Sequence, residues 1–148
     1  MKKLSLLFAV IFIMVVLAGC GQTISNISKS IDMGQAAKKV TKNSTDLNAV
    51  SSDENIESIF TIMNYRGSEE ENNRMKAAIK QGAEDGKALS ELNKNLVTTK
   101  DLGAGYMLGY TFGCKAATSD EAKCETELNQ KYLTIMTEEM QKQIPIQN

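Results

Sequence analysis

Gly105, Gly109 and Gly113 recur every four residues inside the stretch Leu102-Gly-Ala-Gly-Tyr-Met-Leu-Gly-Tyr-Thr-Phe-Gly-Cys114, and Ala117 continues the row. Residues four apart lie one above another on a helix. A helix here therefore carries a ridge without side chains, flanked by Tyr106, Tyr110 and Phe112. Glycine in a helix interior costs about 1 kcal/mol against alanine, so such a row persists where close approach compensates. The gain is a distance below the usual ~8–10 Å between helix axes. What approaches stays open at this level. It is another helix of the same bundle, a partner received in a groove of Gly105, Tyr106, Gly109, Tyr110 and Gly113, or a second copy of the chain. Rows of small residues are best known from membrane helices, but the chain after Cys114 is too polar to continue a span.

The remaining elements are read from helical periodicity and caps, and no alternating run bounded by turns points to a strand. Ser51 with Glu54 has the capping-box pattern, in which each side chain satisfies an orphan backbone N–H. Ile56, Ile59, Phe60 and Met63 follow on one face, and Gly67 is placed to close the helix. Ser68 with Glu71 repeats the box, and Glu69 and Glu70 set negative charge against the positive helix end. The next helix is expected from Glu69 to Leu96, with Met75, Ile79, Leu89 and Leu92 inward. Gly82 and Gly86 within it imply either a second backbone close by or a break near Gly86. Asp101 opens a helix, and Thr118 with Glu121 is a third box. The last helix runs from Asp120 to Gln143, before Pro145, with Leu128, Tyr132, Ile135, Met136, Met140 and Ile144 inward. The Met136–Met140 spacing could hold Cu(I) through thioethers, but core filling is the commoner use of methionine. No metal site is assigned.

At the amino terminus, Lys2-Lys3 precede an apolar run from Leu4 to Ala18, ending in Leu17-Ala18-Gly19-Cys20. Basic, apolar and small residues in that order are the plan of a secretory signal peptide. The run is shorter than the ~20 residues a spanning helix needs. Its last four residues resemble the lipobox of bacterial lipoproteins. That resemblance implies cleavage before Cys20, diacylglycerol on its sulfur and residence in the cell envelope. Gly21, which is not aspartate, implies the periplasmic face of the outer membrane where a cell has two membranes. The expected organisation is a signal peptide over 1–19, a lipidated start with a tether or marginal amphipathic helix over 20–50, and a helical bundle over 51–148. Ile24, Ile27 and Ile31 carry the helical alternative for the tether.

With Cys20 given to lipid by that resemblance, Cys114 and Cys124 remain as one pair in a compartment where disulfides persist. On one continuous helix they would be ~15 Å apart, whereas a disulfide needs Cα atoms ~4.4–6.8 Å apart. A turn at Thr118–Glu121 brings them level across an antiparallel hairpin. The fold class expected is thus all-α, a small helical bundle with a disulfide-braced C-terminal αα-hairpin.

The 129 residues after position 19 carry 15 basic and 18 acidic side chains, a balance of −3. No basic block is present to meet a phosphate backbone, so nucleic acid is not an expected partner. The chain has no histidine, which removes the commonest general base and metal ligand. No placed acid–base pair or phosphate-binding loop is visible, so neither catalysis nor a cofactor is expected. A non-catalytic protein-interaction or adaptor module at the envelope fits best, with its protein partner open. Gly105-Tyr106-Met107-Leu108-Gly109 also resembles the Gly-Tyr-x-x-Gly stretch of a helical type VI secretion immunity family, without that family's preceding cysteine. It implies the alternative of a periplasmic immunity or exclusion protein.

Overall fold

The computed structural model describes residues 26–143, with side chains described for 33–142. The chain divides into two compact units, 1–30 and 31–148. The helices are α1 (Asn26–Asn43), α2 (Asp53–Met63), α3 (Glu69–Lys87), α4 (Lys94–Thr98), α5 (Leu102–Thr118) and α6 (Glu121–Gln143). No strand occurs among the described residues. The protein is all-α, a helical bundle whose last two long helices are joined by a disulfide.

Cross-helix contacts give the directions. Lys39 pairs with Glu54 at 2.6 Å, setting α1 antiparallel to α2. Lys76 with Glu57 and Lys80 with Asp53 set α2 antiparallel to α3. The partners of successive glycines ascend together on α3 and α5, so these two helices run parallel. The loops around short α4 carry the chain back along the length of α3 to make that possible. α6 returns antiparallel to α5, with Cys114 bonded to Cys124 at one end and Lys94 paired with Glu138 towards the other.

Two apolar clusters flank the α3–α5 pair. One joins Val40, Ile56, Ile59, Met75, Ile79 and Ala83. The other gathers Leu92, Val97, Tyr106, Tyr110 and Leu128 around the disulfide. Val40 and Val50 are buried, so the packed body starts before residue 51, and the compact unit begins at Ile31. The boundary expected at 51 is therefore too late. The second half of α1 is a bundle helix, because Ala36 and Val40, one turn apart, both turn inward. Residues 1–25, with the expected signal peptide and Cys20, and the side chains of Ile27, Ile31 and Ile144 lie outside the described residues.

Several ends differ from expectation by a residue or a turn. Ser52, not Ser51, caps α2 by accepting from Asn55 N. Asn64 in the left-handed region closes α2, ahead of Gly67. Ser68 and Glu71 form the full reciprocal capping box on α3. The Ser68 backbone N–H holds the Glu71 carboxyl below its ordinary pKa. α3 stops at Lys87, so the expected continuous helix to Leu96 breaks near Gly86. At the α5–α6 turn, Asp120 accepts from Lys123 N, the role assigned to Thr118. Met140 is 58% exposed and not inward.

Candidate functional site

The glycine ridge faces α3. A Cβ at Gly109 would land on the carbonyl oxygen of Ile79, and one at Gly113 on that of Ala83. From the other side, a Cβ at Gly82 or Gly86 would meet the carbonyl oxygens of Tyr106 or Tyr110. Four glycines thus interlock as two rows, bringing backbone against backbone. Gly105 is filled by the Met75 side chain. The groove expected from Gly105, Tyr106, Gly109, Tyr110 and Gly113 is therefore occupied by α3 of the same chain. Tyr106 and Tyr110 are fully buried. As a partner groove this assignment is corrected, because a surface already in backbone contact has no room for a second helix.

The two tyrosines reach through the second cluster to the segment after α3. Tyr106 donates its hydroxyl to Asp85 Oδ2 at 2.7 Å and accepts from Asn93 N at 2.8 Å. Burial raises the Tyr106 pKa well above its ordinary value, and the Asp85 carboxylate acts in the same direction. Tyr110 donates to the Ser90 carbonyl at 2.8 Å. Lys131 of α6 donates to the same carbonyl at 2.7 Å and to the Tyr110 hydroxyl at 3.1 Å. Both carbonyls that Lys131 meets, of Leu89 and Ser90, lie just past the end of α3, where the helix carries partial negative charge that a cation favours.

That network holds an unusual helix end. Ser90 N bonds Asp85 O and Leu89 N bonds Gly86 O, the two bonds of a Schellman motif. The residue that must turn left-handed is Leu89, at φ 52°. Glycine is usual there, and an L side chain costs roughly 1–2 kcal/mol. The leucine is also 41% exposed. Leu47, in the α1–α2 turn, is 49% exposed. Both lie at one end of the bundle, because Ser51 beside that turn accepts from Lys87 Nζ at 3.0 Å. This end is the candidate interaction surface. Sequence reading missed it. The available signal was the break near Gly86 with no glycine in the four residues after it, Lys87–Ser90, to take the left-handed turn.

Ser51, Lys87 and Glu84 meet there as hydroxyl, ammonium and carboxylate. Lys87 donates to Ser51 and pairs with Glu84 at 2.8 Å, and hydrogen bonds from Lys87 and Ser51 hold the Glu84 carboxyl below its ordinary pKa. An ammonium has no lone pair to accept a serine proton, so the trio ties the turn to α3. Elsewhere an open hollow of about 320 Å³ lies between α1 and α2, lined by Gln35, Lys39, Glu54, Glu57, Ser58 and their neighbours. It is crossed by the Lys39–Glu54 ion pair. Among the described residues, no group of three His, Cys, Asp or Glu side chains could hold a metal ion. No described helix is long and apolar enough to cross a membrane.

Cys114 and Cys124 are bonded, with Cα atoms 5.9 Å apart, and both are fully buried. Thr118 Oγ1 lies 3.2 Å from Cys124 Sγ, and Lys115 pairs with Glu121 across the turn. No family model, curated protein or solved structure matches this chain.

Proposed function

We propose that the protein is a lipid-anchored, non-catalytic interaction module of the bacterial cell envelope, held through diacylglycerol on Cys20. The observation that carries this reading is the lipobox-like Leu17-Ala18-Gly19-Cys20 behind a basic and apolar leader. The disulfide further along the chain supports it, since such bonds persist in oxidising compartments. Buried polar groups of the body serve helix ends and turns, as the Tyr106, Tyr110 and Lys131 network does. That favours a scaffold over a reaction centre. Two exposed leucines, Leu47 and Leu89, lie at one end, and Leu89 is held in a costly backbone conformation, the kind of local strain that clusters at functional sites.

The anchor is tested by Cys20→Ala in cells fed labelled palmitate. The variant should lose the label and keep its first 19 residues, read by intact mass. Unchanged labelling would refute the anchor. The interaction surface is tested with a photo-crosslinking residue at position 47 or 89, and at exposed Gln130 as control. Discrete adducts at 47 and 89 alone support the module, and adducts absent from both sink it.

A further inference from the structure

We propose that α6 is a cover latched by the Cys114–Cys124 disulfide, and that it leaves α5 when a dithiol reduces that bond. The rest of the body is held without α6. The α3–α5 seam closes backbone to backbone through Gly82, Gly86, Gly109 and Gly113. The cluster of Val40, Ile56, Ile59, Met75, Ile79 and Ala83 draws none of its described members from α6. Lys76 and Lys80 tie α2 to α3. By contrast, α6 rests chiefly on α5 and α4. Of its described side chains only Cys124 and Leu128 are buried, and Cys124 is half of the disulfide. Tyr132 and Ile135 are half-buried against the same cluster. Its other ties are polar: Lys131 on the Ser90 carbonyl and the Tyr110 hydroxyl, and Lys94 of α4 on Glu138 and Glu139. Exposed ion pairs of the second kind contribute little. With six buried residues on α3 and eight on α5, α6 is the long helix placed to open separately from the core.

The bond closes the turn end of the α5–α6 hairpin across a sequence separation of 10. Without it, α6 is joined to α5 only through the turn at Ser119, whose backbone is left-handed at φ 56°. Losing a cross-link of that reach favours the open form by roughly 100-fold in the chain-entropy account. Departure of α6 uncovers its cluster partners Leu92, Val97 and Tyr110, which are buried in the oxidised protein. Both sulfurs are fully buried, so a dithiol meets them only while the hairpin is open. The exchange moves two electrons. One thiolate of the dithiol attacks a sulfur of the pair, and its second thiol resolves the mixed disulfide. The dithiol leaves as a disulfide, and its two protons end on Cys114 and Cys124.

The test is hydrogen exchange, read by mass spectrometry, on the full-length protein before and after treatment with dithiothreitol. Alkylation of Cys114 and Cys124 reports the reduction. In the reduced protein, peptides from Glu125 to Gln143 should exchange roughly 100-fold faster. Peptides across α3 and across Gly105–Gly113 of α5 should keep their protection. The double variant Cys114→Ser with Cys124→Ser should reproduce this pattern without any dithiol, while the treated wild type carries the test independently of a variant. Unchanged exchange in α6 after complete reduction overturns the latch. A bond that stays oxidised in excess dithiothreitol under native conditions overturns the switch. Equal loss of protection in α3, α5 and α6 overturns α6 as a separate unit.

Discussion

α5 is held to its two neighbours by opposite means. Against α3 it offers missing side chains, so that Gly109 and Gly113 rest on the backbone of Ile79 and Ala83. Against α6 it offers a covalent bond from Cys114 to Cys124, inside a cluster closed by Leu128 and Tyr110. The first contact works only in the folded state, where close backbones gain dispersion contacts at every atom pair. The second acts largely on the unfolded chain, by removing conformations it would otherwise visit. A seam of the first kind tolerates no added atom, whereas a strap of the second kind tolerates modest repacking around it.

That contrast can be broken in four ways. Gly109→Ala puts a methyl group on the Ile79 carbonyl, which no rotamer change can relieve. We expect a loss of about 3 kcal/mol or more, read as a lower urea midpoint. A midpoint within error of wild type would mean the seam is looser than described. Replacing both cysteines, Cys114→Ala with Cys124→Ala, should cost less. Closing a loop with a separation of 10 corresponds to ~2.5–3 kcal/mol in the chain-entropy account. If this loss exceeds that of Gly109→Ala, the ranking of seam over strap is reversed.

Tyr106→Phe removes an acceptor from Asn93 N and a donor from Asp85, at roughly 1–3 kcal/mol. It carries a pH signature as well. The Tyr106 pKa is raised in the folded state above its ordinary 10.0, so its contribution is complete below pH 10 and fades as pH rises further. Wild type should thus lose stability between pH 9 and 11 more steeply than the variant, by urea unfolding at each pH. Parallel losses would remove the buried hydroxyl from the account. The smallest effect has the opposite sign. A Cβ at Gly34 meets nothing within 4 Å, so Gly34→Ala should stabilise by ~0.5–1 kcal/mol through helix propensity alone. Destabilisation there would show that crowding by glycine replacement is not confined to the seam.

Local signals were legible where one residue's chemistry suffices. Ser68 and Glu71 marked a helix start because both halves of the box lie within one turn. Cys114 and Cys124 remained as a pair once the lipobox resemblance gave Cys20 to lipid, and reach then required the hairpin that brings them to bonding distance. The row of small residues was visible too, but the partner it faces was not. Spacing on one helix is indifferent to whether the second backbone belongs to the same chain. Leu89 was read as core from its position in a continuous helix. The helix instead stops at Lys87, and Lys131, 44 positions after it, and Tyr110 both meet the Ser90 carbonyl just beyond that end. Met140 went wrong for a related reason: periodicity assigns a face, and whether anything covers its last turns depends on the length of the neighbours.

By itself the sequence determined that this chain is helical and where its clearest cap, Ser68 with Glu71, lies, because those outcomes are set by groups within a turn or two of one another. Only the tertiary structure decided that α3 and α5 run parallel with interlocked glycines, that the tyrosines point inward, and that Leu47 and Leu89 share one end. Those outcomes depend on which backbones meet across the bundle, and that choice is made by the packing of all the helices at once.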